Sequence, residues 1–508
     1  MAVLLLFRAA LLHTGGRLVY ALDDAYIHMA VARNLAEHGV WGVTRYAFTS
    51  STSSLAWPLL LALADVAVGV RESTPLLLNV VFAVAAILLA DRLLREVRPA
   101  PRAGALVALV LLTPLPILVL AGMEHTLQIA AVLWLLDRVR AADEAPPWPR
   151  ASVLVSLTVA AALATAARYE SVFLVLPAVS VLAYDERRRA AVAAAIGGLL
   201  PLVLYGAVSI AHGWPPLPNS LLLKRATFEA TGLAGLLDRI GGHAVRTLGE
   251  APHLLVLLLA VLVLSAVLPS APVVRRWDAI FVVATLLHLQ LAAVGWLFRY
   301  EAYLVAAGVV LVARHLANAG PATAPRPRLA RLALALAAFV AAAPLLTRAV
   351  QSMREGPGAV KNIYEQQYQM GLFLRELPAG STVMANDIGA ISYLADVRLV
   401  DLYGLATQET ARARRAGQVD RALLTRLAAE TPPAAVVVYR SWFADALPAD
   451  WIEVGTWKVP DKVVVADRTV SFYATGPEQG SRLAAALAAF QPRLPAAVSS
   501  RIAGVPGP

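Results

Sequence analysis

The run TPLLLNVVFAVAAILLADRLLREVR, residues 74–98, decides what kind of molecule this is. From Thr74 onward it carries no charge until Asp91, and then Arg92, Arg95 and Arg98 close it. About twenty apolar residues in a helix match the ~30 Å hydrocarbon core of a bilayer. A basic cluster at one end is the mark of a cytoplasmic loop. The 508-residue chain repeats this pattern: 59% of it is hydrophobic and 15% charged, with a mean hydropathy of +0.65. Soluble domains average roughly 45–50% apolar and about 25% charged, so the composition excludes a soluble enzyme and implies a polytopic membrane protein. The absence of cysteine excludes disulfides, thiolate metal sites and a Cys nucleophile. The net charge of +10 sits in short arginine clusters between apolar runs, which reads as topology and not as nucleic-acid binding.

Eleven spans are expected: Ala2–Tyr20, Thr74–Leu94, Ala103–Ala121, His125–Val139, Ala151–Ala167, Ser171–Tyr184, Ala190–Ala211, Pro252–Leu268, Trp277–Leu297, Tyr300–Ala313 and Leu332–Val350. The first is interrupted by Arg8, His13 and Arg17 and is taken as a tilted helix, although a cleaved signal or a start upstream of Met1 fits equally. Leu55–Val70, with Pro58 and Asp65, is ambiguous. If it lies flat at the outer interface, the arginine clusters around residues 92–102, 138–150, 187–189, 275–276 and 314–331 all fall on the cytoplasmic side. The expected fold is therefore mainly α: a helical bundle over residues 1–350 with interfacial helices at about 21–73, then a small extracytoplasmic α/β domain over 351–508. In that tail the pattern predicts a helix over Ile363–Leu377 and strands at Thr382–Ala385 and Arg398–Leu402. A charged helix over Glu409–Ala429 follows, then the apolar run Ala434–Tyr439 and strands within Trp451–Val459 and Lys462–Thr475. The last thirty residues read as an amphipathic helix and a frayed end.

With this topology the conspicuous polar residues gather on the outer side. Asp23 and Asp24 follow the first span, and Tyr26, His28, Arg33 and Asn34 extend the polar face. Adjacent carboxylates repel, so the pair is a metal ligand, a site of unusual protonation, or a solvated helix start with Asp23 as cap. Glu124-His125, Arg168-Tyr169-Glu170 and Arg299-Tyr300-Glu301 stand at other outer edges, and GWPPLPNSLLLK ends in Lys224 followed by Arg225. Singly, each is an ordinary interfacial side chain. Together they suggest a cleft for a charged, partly apolar molecule at the lipid–water boundary, with Asp23 or Asp24 as base and Lys224, Arg225, Arg299 or Arg168 as cations for an anionic leaving group.

The ordered series DDAYIHMAVARNLAEHG, TSSTSSLAWPLLLALA, GMEHTLQIA, ARYE, GWPPLPNSLLLK, FRYEAYL and NDIGAISYLADVRLVDLYGLA resembles the C-type superfamily of polyprenyl-phosphate-sugar-dependent glycosyltransferases. It is most similar to the bacterial enzymes that include the terminal arabinofuranosyltransferases. The similarity runs from the first span to about Leu405. The resemblance implies an acidic base at Asp23 or Asp24, interfacial helices in the first outer loop, and donor-phosphate contacts near Asn219, Lys224 and Arg299. It also implies an outer domain that faces the cleft with Asp387 and Tyr393, and a substrate cleft that includes Tyr26, His28, Glu124, His125 and Glu170. His125 after Glu124, and Tyr169 before Glu170, depart from the family's usual pattern and leave the sugar open. The implied partners are a polyprenyl-phosphate sugar, an extracytoplasmic glycan, lipid or protein acceptor and membrane lipid, with no nucleic acid. The implied location is the bacterial cytoplasmic membrane. No cofactor is required by the pattern, although a divalent cation on Asp23 and Asp24 is compatible with it. The alternative class is a transporter or flippase of a lipid-linked sugar. It would call for paired broken spans, which Pro114, Pro116 and Pro201 do not form.

Overall fold

The computed structural model describes residues 2–146, 148–225, 249–268, 271–318 and 328–503. Helices account for most of the chain up to Leu374, and a six-stranded sheet follows. Among the described residues, two helices are long and apolar enough to cross a membrane, Thr74–Leu93 and Arg188–Ala211. Roughly a third or less of each is buried. Their outward residues, among them Leu77, Val81, Leu88, Ile196, Val203 and Ile210, are exposed and apolar, the surface of a helix solvated by lipid. Seven further apolar helices are only 10–17 residues long, so length alone does not carry the count of eleven.

Two expected spans are shortened for visible reasons. The first helix, Ala2–His13, stops where Thr14 turns its hydroxyl onto the Ala10 carbonyl and Gly15 and Gly16 both take positive φ. The third breaks into Pro99–Leu112 and Leu115–Leu120 at Pro114 and Pro116, which supply no amide for the helical ladder. The last apolar helix does not end near residue 350: it runs Arg328–Ile363 and continues through a π-helical turn, Tyr364–Tyr368, into Gln369–Leu374.

Arginine-bearing helix ends meet at one end of the bundle. Asp137 is held by Arg92, Arg138 and Arg140, and Arg276 bridges Asp143 and Asp185. Arg314 reaches Glu96 and the Leu93 carbonyl. Arg326 lies outside the described residues. The opposite end holds Asp23–His38 and the thirteen-residue helix Ala56–Val68, whose two flanks both stay there. The Leu55 amide donates to Ala166, and beyond the helix Glu72 meets Tyr20 and Tyr368.

The sheet caps this end. Strands β1 (Ser381–Ala385), β2 (Val397–Asp401), β3 (Ala435–Val438), β4 (Ile452–Lys458), β5 (Thr469–Ala474) and β6 (Ser499–Ile502) lie in the order β2-β1-β3-β5-β4-β6. β1 pairs in parallel with both β2 and β3, and the remaining pairs are antiparallel. Phe373, Trp457, Phe472 and Phe490 interlock on one face. The charged helix splits into Gln408–Arg415 and Arg421–Glu430, separated by Gly417 at φ 67°, and Asp420 caps the second by accepting from the Leu423 amide. The end that reads as frayed instead contributes β6, an edge strand recruited by β4.

Candidate functional site

The chain passes from β1 to β2 on one side and then to β3 on the other, so the carboxyl end of β1 is a topological switch point, where open α/β sheets form their ligand crevice. Here that crevice faces the bundle. A cavity of about 360 Å³ lies between them. From the sheet come Asn386 and Asp387 after β1, Tyr403 and Leu405 after β2, and Trp442 after β3. From the bundle come Asp23, Asp24, His28, Ser51, Ser53, Arg168, Ser220, Trp296, Arg299 and Tyr300, with Gln367 on the π turn.

Asp23 and Asp24 open their helix, but neither caps it: the N-cap is Leu22, with no side-chain bond. Asp23 instead crosses to the sheet domain, where Oδ2 accepts the Gly389 amide at 2.7 Å and Oδ1 the Ala390 amide at 2.8 Å. The approach is so close that a Cβ on residue 389 would stand 2.0 Å from the Asp23 carbonyl oxygen, which is why glycine occupies it. Burial, with Asp387 and Asp24 nearby, pushes the Asp23 carboxyl up to about 8 despite the two amides. Burial also raises Asp387, against hydrogen bonds from Tyr439 Oη and from Gln367 Nε2 at 2.8 Å.

Asp24 is 43% exposed and accepts from Arg299 at 2.6 Å. Arg299 itself is almost completely buried, and its Nε has no protein partner. It follows a left-handed turn in which Trp296, Leu297 and Phe298 all have positive φ, at roughly 1–2 kcal/mol per residue. Arg348 clamps that turn through the Phe298 carbonyl and Glu301, whose other oxygen accepts the Gly295 amide at 2.9 Å. The Tyr300 ring lies against the guanidinium of Arg299 and also that of Arg168.

Arg168 differs from Arg299. Its guanidinium grips Glu170 with two nitrogens and Glu124 with the third, so the positive charge expected to meet a phosphate is already matched by two carboxylates. His125 Nε2 lies 3.1 Å from the same guanidinium, and Glu124 also receives Ser53 at 3.0 Å and faces His28 at 3.4 Å. Glu124, His125 and Glu170 therefore form the support behind the cavity and do not line it. Burial lowers the His28 pKa, although Glu124 opposes this. With Nε2 turned to Glu124, its unpartnered Nδ1 is an acceptor.

Tyr26 and Tyr393 are not in the cavity. Tyr26 is buried among the rings of Tyr20, Tyr368 and Tyr393, and its hydroxyl accepts the Tyr20 amide. Asn219 is a tie: its amide donates to the Gly404 carbonyl at 3.0 Å, and its neighbour Ser220 reaches the cavity. The side chains of Lys224 and Arg225 lie outside the described residues. The sequence reading missed Gln367, Ser51, Ser53 and Tyr403. It also missed Asp401, which accepts the Tyr403 and Ala406 amides and so shapes the loop that carries Tyr403 and Leu405. Among the described residues, no group of three His, Asp or Glu side chains could hold a metal.

Residues 361–473 match a family described as a domain of unknown function, DUF8728. No curated protein matches the chain. Among solved structures the chain is similar to ArnT from Cupriavidus metallidurans, both bound to undecaprenyl phosphate (12% identity) and in the apo state (13% identity). In each case the TM-score is 0.53, over 94% of this chain and 98% of ArnT. The chain shares the overall fold of ArnT. With identities this low, the likeness establishes the architecture, and the chemistry has to be argued from the cavity.

Proposed function

We propose that this protein is a membrane glycosyltransferase that moves a sugar from a polyprenyl-phosphate donor to an extracytoplasmic glycan, lipid or protein, in the bacterial cytoplasmic membrane. The observation that carries the reading is one cavity holding both halves of the chemistry. Asp23, a carboxylate of raised basicity, and Arg299, a buried cation with an unpartnered N–H, both line it. The fold shared with a protein crystallised with undecaprenyl phosphate supports it.

In this reading the donor phosphate displaces Asp24 from Arg299. Asp23 takes the acceptor hydroxyl's proton as the acceptor oxygen forms its bond to the anomeric carbon. The bond from that carbon to the phosphate oxygen breaks, inverting the centre, and the leaving phosphate keeps the electron pair against Arg299. Each Asp23 oxygen accepts one amide and retains a second lone pair for the proton. The motif resemblance makes a polyprenyl-phosphate arabinofuranose the first donor to try. The test is incubation of purified protein with radiolabelled polyprenyl-phosphate sugars. Transfer or hydrolysis of at least one supports the reading, and inertness toward the whole panel overturns it.

A further inference from the structure

One buried polar side chain among the cavity's lining residues has no part in the proposed transfer. Gln367 sits on the π-helical turn Tyr364–Tyr368, and such turns recur at functional sites because they push one side chain out of helical register. Gln367 is only 2% exposed, yet it lines the cavity. Its Nε2 donates to Asp387 at 2.8 Å and lies 2.9 Å from Tyr439 Oη. The single hydroxyl proton of Tyr439 is shared between Asp387 Oδ2 and Gln366 Oε1, 2.6 Å away, and the Gln366 amide donates to the Asp467 carbonyl. A carboxylate calls for a donor, so this network turns Nε2 toward Asp387 and leaves Oε1, on a side chain that lines the cavity, pointing away from that carboxylate. Oε1 has no partner in the protein.

We propose that Gln367 reads the substrate: its Oε1 accepts a hydrogen bond from a hydroxyl of a sugar bound in the cavity, with Asp387 and Tyr439 as positioning residues that fix the amide. An amide oxygen cannot recognise a phosphate, which offers only acceptors at neutral pH, or a prenyl chain, which offers no polar group. It matches a hydroxyl. Tyr403 and Trp442, 5.5 Å apart between ring centres, add the apolar surface that a sugar ring's C–H face requires on the same wall. Gln367, Asp387, Tyr403, Tyr439 and Trp442 all fall within residues 361–473, so the inference also gives the domain of unknown function a task, namely reading the sugar. It rests on the glycosyltransferase reading, and the sugar is either the donor's or the acceptor's.

The experiment uses full-length protein in detergent and the quenching of intrinsic tryptophan fluorescence. The donor arm compares polyprenyl phosphate with polyprenyl-phosphate arabinofuranose and polyprenyl-phosphate mannose. The acceptor arm uses octyl arabinofuranoside and octyl mannoside. In Gln367→Met, the preference for sugar-bearing over sugar-free lipid, or the affinity for an octyl glycoside, falls roughly 3–10-fold, the worth of one hydrogen bond. Tyr439→Phe, which keeps the amide but loosens it, falls in between. Retained binding of polyprenyl phosphate shows that each variant is folded. Loss confined to the donor arm assigns Oε1 to the donor sugar, and loss confined to the other arm assigns it to the acceptor. If wild type prefers a sugar-bearing ligand and neither arm changes in Gln367→Met, the inference is wrong. If wild type binds none of the sugar-bearing probes, the glycosyltransferase reading itself has failed.

Discussion

Substituting alanine for Gly389 tests the joint on which the site depends. The added methyl would stand 2.0 Å from the Asp23 carbonyl oxygen and 2.8 Å from its Cγ, where real contacts are essentially never under 3.0 Å. Asp23 and the turn before Gly389–Leu394 must therefore part by at least about 1 Å. Both elements are anchored elsewhere: Arg33 donates to the Ser392 and Tyr393 carbonyls, and Asn34 holds the Gly42 carbonyl. The displacement consequently falls on the carboxylate and its two amide bonds. A catalytic group misplaced by ~1 Å costs on the order of 100-fold in rate. The two amide hydrogen bonds, each worth roughly 0.5–1.5 kcal/mol to a carboxyl that is mostly protonated at neutral pH, are weakened or lost. The expected result is an approximately 100-fold fall in kcat for transfer from a polyprenyl-phosphate sugar, a lower Tm, and unchanged far-UV circular dichroism. Gly476→Ala, where a Cβ meets open space in the same domain, is the control. Wild-type kcat in Gly389→Ala would refute the claim that this contact positions the base.

Asp23→Asn should lower transfer by roughly 100–10,000-fold. It also sets an amide N–H against one of the two backbone donors, so Asn is no neutral substitute there, and stability should drop with activity. Asp24→Asn should tighten binding of polyprenyl phosphate by about 3–10-fold, because the anion competing for Arg299 is gone. Losing transfer as completely as Asp23→Asn would reverse the two roles. Arg299→Ala should weaken donor binding roughly 10–100-fold, as measured by titration with polyprenyl phosphate, and unchanged affinity would exclude Arg299 as the phosphate contact. With the Asp23 carboxyl at about 8, transfer should rise as pH rises through that value. The Asp23 contribution to stability should move the other way: the folded state keeps a proton that the unfolded chain releases at the ordinary carboxylate pKa, so this contribution is largest below about pH 4 and is lost toward pH 8, and Asp23→Asn should flatten the fall in Tm over that range. Asp387→Asn, by removing a neighbouring charge, should lower the midpoint of the rate profile, and an unmoved midpoint would count against the coupling.

Much of this architecture can be read from one-dimensional patterns. Apolar runs such as Thr74–Leu93 and Ala151–Ala167 need no tertiary information, because lipid imposes a uniform requirement on every exposed position. Asp23, Asp24 and Arg299 stand out because charge is expensive beside a membrane, whereas Asp387 is legible only through the family resemblance. What did not come through was orientation. Tyr26 and Tyr393 share a motif with Asp23 and Asp387, yet helical periodicity turns both rings into the core. Arg168 and Arg299 look alike in sequence and differ only in how many carboxylates surround each. Gln367 was silent because a glutamine in a polar stretch carries no signal until a π turn aims it. β6 exists only because β4 offers an edge.

The bond from Asp23 to the Gly389 amide joins residues 366 positions apart. Asp23 precedes its partner by nearly the whole bundle, so the contact closes a loop that contains every helix from Asp23–His38 to Gln369–Leu374. Without β1 and the residues that follow it, the carboxylate has no amides to hold it, and the cavity loses the wall that carries Asp387, Tyr403 and Trp442. The site is therefore a property of the assembled chain: neither the helices nor the sheet alone holds its carboxylate in place.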